Sequence, residues 1–170
     1  MSTATAPALT MEIVLDAGPH KHLRFQRGMQ AWEILTFPGG LLVRSFGDYV
    51  LVNGADNIID SMAYTEGDPV YWASKLTSGD PRVWDEEAFR AWLAREAAEC
   101  GVQEEVESEI LSGRDLHSEA LAREAVAAAD LTEIDFPEYE LDDFFVPSPH
   151  FLRALERARE GLACYAAQQS

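Results

Sequence analysis

The chain has 170 residues, 13 Lys and Arg against 30 Asp and Glu, and a formal net charge of −17. At 47% hydrophobic and 10% aromatic it is too apolar for a disordered acidic tail. So negative a chain is not drawn to nucleic acid or to an anionic membrane; electrostatics selects basic partners.

The charge is unevenly placed. Residues 1–84 carry 9 acids and 6 bases, residues 85–145 carry 19 and 4, and residues 146–170 carry 2 and 3. The middle segment therefore holds −15 of the −17.

The first third reads as β structure. Strand candidates are 11–16, 20–26, 30–37, 41–46 and 49–52, separated by Gly- and Pro-containing turns. Alternation puts Leu23 and Phe25 on the apolar face of the second candidate, and Trp32, Ile34 and Thr36 together on one face of the third. Residues 11–53 are thus expected to form an antiparallel meander of four or five strands. Over 55–129 the pattern becomes helical. Ile58, Ile59 and Met62 have helical spacing, and two Gly-Asp-Pro units (67–69 and 79–81) can each start a helical turn through an Asp cap and a Pro at the first position. The spacing predicts a helix over 85–100, capped by Asp85 and stopped by Gly101, with Phe89, Trp92 and Leu93 as its stripe. Further helices are expected over 102–111 and 116–129. The acidic, aromatic segment 130–149 is expected to be an ordered loop, and 150–167 a terminal helix. The expected fold is α+β, an N-terminal antiparallel sheet packed against a C-terminal set of helices, in one domain over 1–170.

Several stretches resemble a widespread family of uncharacterised tailed-phage proteins. They are His22-Leu23-Arg24-Phe25, Trp32–Gly39, Gly47–Leu51, a short helix at Asp56–Met62, Tyr71–Leu76 and His150-Phe151-Leu152 with the terminal helix. The family's turn reads Gly-Asp-Met-Gly, where this chain has Arg44-Ser45-Phe46-Gly47. The resemblance implies a phage or prophage gene and carries no settled activity.

Nucleophile elbows, phosphate loops and dinucleotide fingerprints are absent from the sequence. No leader-like N-terminus and no membrane-length apolar run occur, and Cys100 and Cys164 read as buried free thiols, so a cytoplasmic protein without cofactors is expected. His20 and His22, two apart on a strand, could bind a metal with His150 or Asp48 and serve a metal-dependent hydrolase. The four Trp residues at 32, 72, 84 and 92 read as core.

The acidic segment is the outstanding feature. In 103–109 (QEEVESE), Glu105 and Glu109 are i, i+4 neighbours and Glu104 and Glu107 are i, i+3, so each pair lies about 5–6 Å apart on a helix, close to the spacing of neighbouring phosphates. The expected binding residues are Glu99, Glu104, Glu105, Glu107, Glu109, Asp115 and Glu119, with Asp142 and Asp143 as a second patch. They would meet the Lys and Arg groove of a host DNA- or RNA-binding protein, in the manner of a non-enzymatic anti-CRISPR or other anti-defence inhibitor. The alternative is a phage adaptor or structural protein that binds through aromatics such as Tyr139 and Phe144.

Overall fold

The computed structural model describes residues 7–54, 57–64, 68–129 and 140–169. They fall into two compact units, one spanning Met1–Pro81 and Pro147–Ser170, the other Arg82–Val146. The sequence reading treats 1–170 as one domain with an acidic section; that section nearly coincides with the second unit. Arg82–Val146 contains 19 Asp and Glu against five Arg.

The first unit is a six-stranded antiparallel sheet in chain order. Its strands are β1 (Leu9–Ala17), β2 (His20–Arg27), β3 (Gln30–Phe37), β4 (Gly40–Arg44), β5 (Asp48–Val52) and β6 (Leu76–Ser78). Two-residue loops join the first strands, because Ala17 pairs with His20 and Arg27 with Gln30. Each loop begins with a glycine, Gly18 at φ 58° and Gly28 at φ 60°, the left-handed conformation that tight hairpins need there. Alternation then decides the faces. Leu23, Phe25, Trp32, Ile34, Leu41, Val43, Tyr49 and Leu51 are buried on one face. Thr36 is buried with them, its hydroxyl donating to the Pro19 carbonyl at 2.7 Å and accepting from the Lys21 amide at 3.1 Å.

The opposite face carries a ladder of alternating charge. Glu12, Arg24, Glu33, Arg44 and Asp48 pair across successive strands. Arg24 Nε donates to Glu33 Oε1 at 2.9 Å, and Arg44 lies 3.8 Å from Glu33 and 3.5 Å from Asp48. Cross-strand pairs of opposite sign favour this register over a slipped one.

Three helices belong to this unit: α1 (Ile58–Tyr64), α2 (Pro69–Ala73) and α6 (Pro149–Gln169). The first Gly-Asp-Pro unit starts α2 as expected, with Asp68 accepting from the Val70 amide at 2.9 Å and Pro69 at the first position. Gly67 lies outside the described residues. The second Gly-Asp-Pro motif, 79–81, does not start a helix. Its continuation is strand β7 (Arg82–Trp84), because these residues pair with β8 (Phe145–Pro147). Helix α6 covers the sheet through Phe151, Ala154, Leu155, Ala158, Leu162 and Tyr165. It comes close at Gly161, where a β-carbon would stand 2.8 Å from Phe25 Cζ and 2.9 Å from Ile34 Cδ1.

The second unit contains α3 (Glu86–Cys100), α4 (Gln103–Val106) continued by a π-helical turn (Glu107–Leu111), α5 (Glu119–Ala129) and a 3-10 turn (Glu140–Phe144). Asp85 caps α3, accepting from the Ala88 amide at 2.9 Å, and Gly101 ends it. The expected helix at 116 begins three residues later. Asp115 Oδ1 takes the His117 amide at 3.2 Å and Ser118 caps the helix, which holds 115–118 in a turn. Cys100 is exposed rather than buried, being the last residue of α3, past the end of the Phe89–Leu93–Ala97 stripe; Cys164 is half-buried. Of the expected loop at 130–149, residues 130–139, including Phe136 and Tyr139, lie outside the described residues; the remainder forms the 3-10 turn, β8, a connection at Ser148 and the first residue of α6. No helix among the described residues is long and apolar enough to cross a membrane.

Candidate functional site

The acidic residues stand on a frame of aromatic rings. Trp84, Phe89, Trp92 and Phe144 lie within 6.0 Å of one another as ring centroids in successive pairs, and Trp84 Nε1 donates to the Leu116 carbonyl at 2.8 Å. Phe89 is fully buried and Phe144 nearly so. Phe144 is therefore part of the core.

Arg90 holds the acidic helix in place. Its Nε donates to Glu86 at 2.7 Å, its Nη1 to the Leu111 carbonyl at 2.8 Å and its Nη2 to the Arg114 carbonyl at 3.2 Å. Arg114 Nε adds a bond to the Glu109 carbonyl at 2.9 Å. Two guanidinium groups thus satisfy carbonyls at the negative end of the helix over 103–111, where cations are favourable.

Helical geometry then arranges the glutamates. Val106 and Ile110 are fully buried, so Glu104, Glu105, Glu107 and Glu109 take the other half of the helix, and all four are exposed. Glu99 is exposed near the end of α3. Among the described residues, no cation forms an ion pair with Glu99, Glu104, Glu105, Glu107 or Glu109; Glu107 instead accepts from Ser112 Oγ at 2.6 Å. The arginines of the unit are engaged elsewhere. Arg90 is with Glu86, Arg95 with Glu96 at 3.1 Å, Arg123 with Glu119 at 2.8 Å, Arg114 with backbone and Arg82 over the Phe145 ring at 5.1 Å.

The other expected residues divide. Glu119 is tied to Arg123, and Asp115 to His117 Nδ1 at 2.6 Å. The His117 ring holds the Asp115 carboxyl below its ordinary value, with the His117 amide adding to the effect. Asp115 and Glu119 therefore have local partners, unlike the glutamates of 99–109. Asp143 is exposed on the 3-10 turn. Asp142 belongs to the same turn, but its side chain lies outside the described ones.

Sequence reasoning missed the surface beside these glutamates. A groove of about 810 Å³ runs between α3 and the 103–111 helix, floored by Ala94, Ala97, Val106 and Leu111 and edged by Glu104 and Glu107. Its signal is faint: two alanines three apart on α3, opposite a helix that widens by a π turn.

The metal candidates are not brought together. Among the described residues no group of three or more His, Cys, Asp or Glu could hold a metal ion. His22 Nε2 lies 3.4 Å from Glu33, Asp48 pairs with Arg44, and His150 packs on the Phe46 ring at 5.8 Å.

The first unit has a polar cavity of about 610 Å³, lined by Lys21, Asn57, Asp60 and Tyr165 among others. Its polar groups partner one another. Lys21 Nζ donates to Asp16 at 2.5 Å, Tyr165 OH donates to Asp16 at 2.6 Å, and Asn57 Nδ2 donates to Asp60 at 2.5 Å. The hydrogen bond from Lys21, followed by that from Tyr165, holds the Asp16 carboxyl below its ordinary 3.8. Burial pulls Glu33 upward, but the hydrogen bonds from Arg24 and His22 outweigh it and hold Glu33 below 4.5. A carboxyl depressed in the folded state contributes stability above its ordinary value and loses it as pH falls through the depressed one. Thermal denaturation across about pH 3–7 should therefore show stability falling below pH 4.5, and Asp16→Asn with Glu33→Gln should flatten that acid limb. An unchanged acid limb in the double variant would contradict these two assignments.

No family model, curated protein or solved structure matches the chain.

Proposed function

We propose that the chain is a non-enzymatic binding protein whose acidic unit occupies the basic groove of a nucleic-acid-binding protein. The observation that carries this reading is the run Glu99–Glu109. Its carboxylates are exposed and have no cation among the described residues, while the arginines of the unit are engaged with other groups. Like charges at i, i+4 destabilise a helix by a few tenths of a kcal/mol per pair. A frame of aromatic rings, buried at Phe89 and Phe144 and half-buried at Trp84 and Trp92, and a two-arginine clamp hold them in place nonetheless. Such a fixed field steers a basic partner in and competes with a phosphate backbone. The resemblance to tailed-phage proteins supports the specific form of this function, an anti-CRISPR or other anti-defence inhibitor acting on a host complex in the cytoplasm. The adaptor reading gains no support from Phe144, which is core.

The test is capture of a host nucleic-acid-binding protein on the immobilised chain. Binding is expected to weaken steeply between about 0.05 and 0.5 M salt, and duplex DNA is expected to displace the captured protein. Salt-independent capture that DNA leaves intact would sink the reading.

A further inference from the structure

The groove beside the acidic helix has a chemistry that imitation of a phosphate backbone does not use. Its floor is aliphatic. Ala94, exposed to the opening, and Leu111, half-buried, form its accessible surface, and Val106 and Ala97 are buried beneath them. Ala94 and Ala97 are one turn apart on α3, and their small size leaves the depression between α3 and the facing helix. The facing wall is the π-helical turn Glu107–Leu111, an irregularity that recurs where helices bind something. Glu104 and Glu107 stand on its edge, and neither has an ion-pair partner among the described residues.

An aliphatic floor with an anionic rim is complementary to one kind of surface, an aliphatic side chain flanked by Lys and Arg. A helix presents that combination when its apolar residues recur at i, i+3, i+4 and i+7 and its basic residues flank the stripe. We infer that this groove docks a basic amphipathic helix of the protein partner. The anchor enters over Ala94 and Leu111, and the flanking cations meet Glu104 and Glu107. The inference rests on the basic-partner reading above and adds to it an apolar anchor, the element that salt does not screen.

The probe is a synthetic helix of about 18 residues, long enough to be helical, with Leu in that stripe and Lys elsewhere. Its control has the same composition with the leucines scattered round the helix. Fluorescence anisotropy measures both against the full chain. The striped peptide is expected to bind wild type about tenfold more tightly than the scattered one, the worth of one buried aliphatic side chain. Ala94→Trp, at an exposed position, fills the groove and is expected to erase that gap while leaving the salt dependence of both peptides unchanged. Ala94→Ser is expected to narrow the gap with almost no added bulk, and circular dichroism checks that both variants keep the wild-type helix content. Equal binding of the two peptides to wild type, or a gap that survives Ala94→Trp, overturns the groove as a docking site. If both peptides still weaken with salt in that case, the acidic-face reading stands; if neither peptide binds at all, both readings fall.

Discussion

Replacing Gly161 with leucine should destabilise the sheet unit by about 3 kcal/mol, roughly 10 °C in Tm. The reason is the close approach of α6 to the sheet at this position. A β-carbon at Gly161 already meets Phe25 Cζ at 2.8 Å and Ile34 Cδ1 at 2.9 Å, before any longer side chain is added. Phe25 cannot retreat freely, because it stacks on Trp32 at 5.4 Å, and the Arg157 guanidinium lies over the Trp32 ring at 4.3 Å. Ile34 is fully buried between its neighbours. Leucine therefore has to lift α6 from the sheet, weakening the contacts of Phe151, Leu155, Ala158 and Leu162. Alanine should be far milder. Its β-carbon still forces Phe25 and Ile34 to shift by a few tenths of an ångström, but it adds no longer side chain, and up to about 1 kcal/mol of helix propensity over glycine offsets part of that cost. Thermal and urea denaturation of both variants check this; a leucine variant as stable as wild type would show that α6 does not pack on the sheet through this position.

The second large effect concerns binding. Exchanging Glu104, Glu105, Glu107 and Glu109 for lysine removes four anions and installs four cations on the exposed half of one helix. Each exposed pair with a partner is worth a few tenths to about 1 kcal/mol, and reversal turns each attraction into repulsion. A loss on the order of 100-fold follows for a basic partner. The fold should survive. Val106 and Ile110, the residues that hold this helix to the core, are untouched, and so are the Arg90 and Arg114 bonds to backbone carbonyls.

Local signals account for what the sequence showed in advance. The meander over 11–53 was legible because hairpin turns and two-residue alternation are written within a few positions, and β1–β5 follow it. Asp85, Asp68 with Pro69, and Gly101 are likewise local caps, and the terminal helix needed only its own stripe. What stayed hidden depends on partners distant in the chain. Strands β6 and β8 are three residues each and exist because β5 and β7 offer them backbone groups. Their own residues, Leu76-Thr77-Ser78 and Phe145-Val146-Pro147, are too few to show a period. The second Gly-Asp-Pro unit looked like the first, yet pairing with β8 drew the residues after it, Arg82–Trp84, into a strand.

The candidate site was legible in the same uneven way. Counting charge by segment located the acidic unit almost to its boundaries. It could not separate Glu119 and Asp115, which have neighbours to pair with, from Glu104, Glu105, Glu107 and Glu109, which do not. The Glu119–Arg123 pair is an i, i+4 spacing that charge counting averages away. The groove needed three dimensions altogether, since Ala94 and Leu111 come from different helices and look unremarkable in each.

The central claim is that the carboxylates of 104–109 bind a basic partner in place of nucleic acid. Its most direct measurement is the affinity of the captured partner for wild type and for the four-lysine variant, titrated across the same salt range. Wild type should bind with a steep salt dependence, and the variant should bind about 100-fold more weakly at low salt. Equal affinity and equal slope for the two proteins would contradict the account.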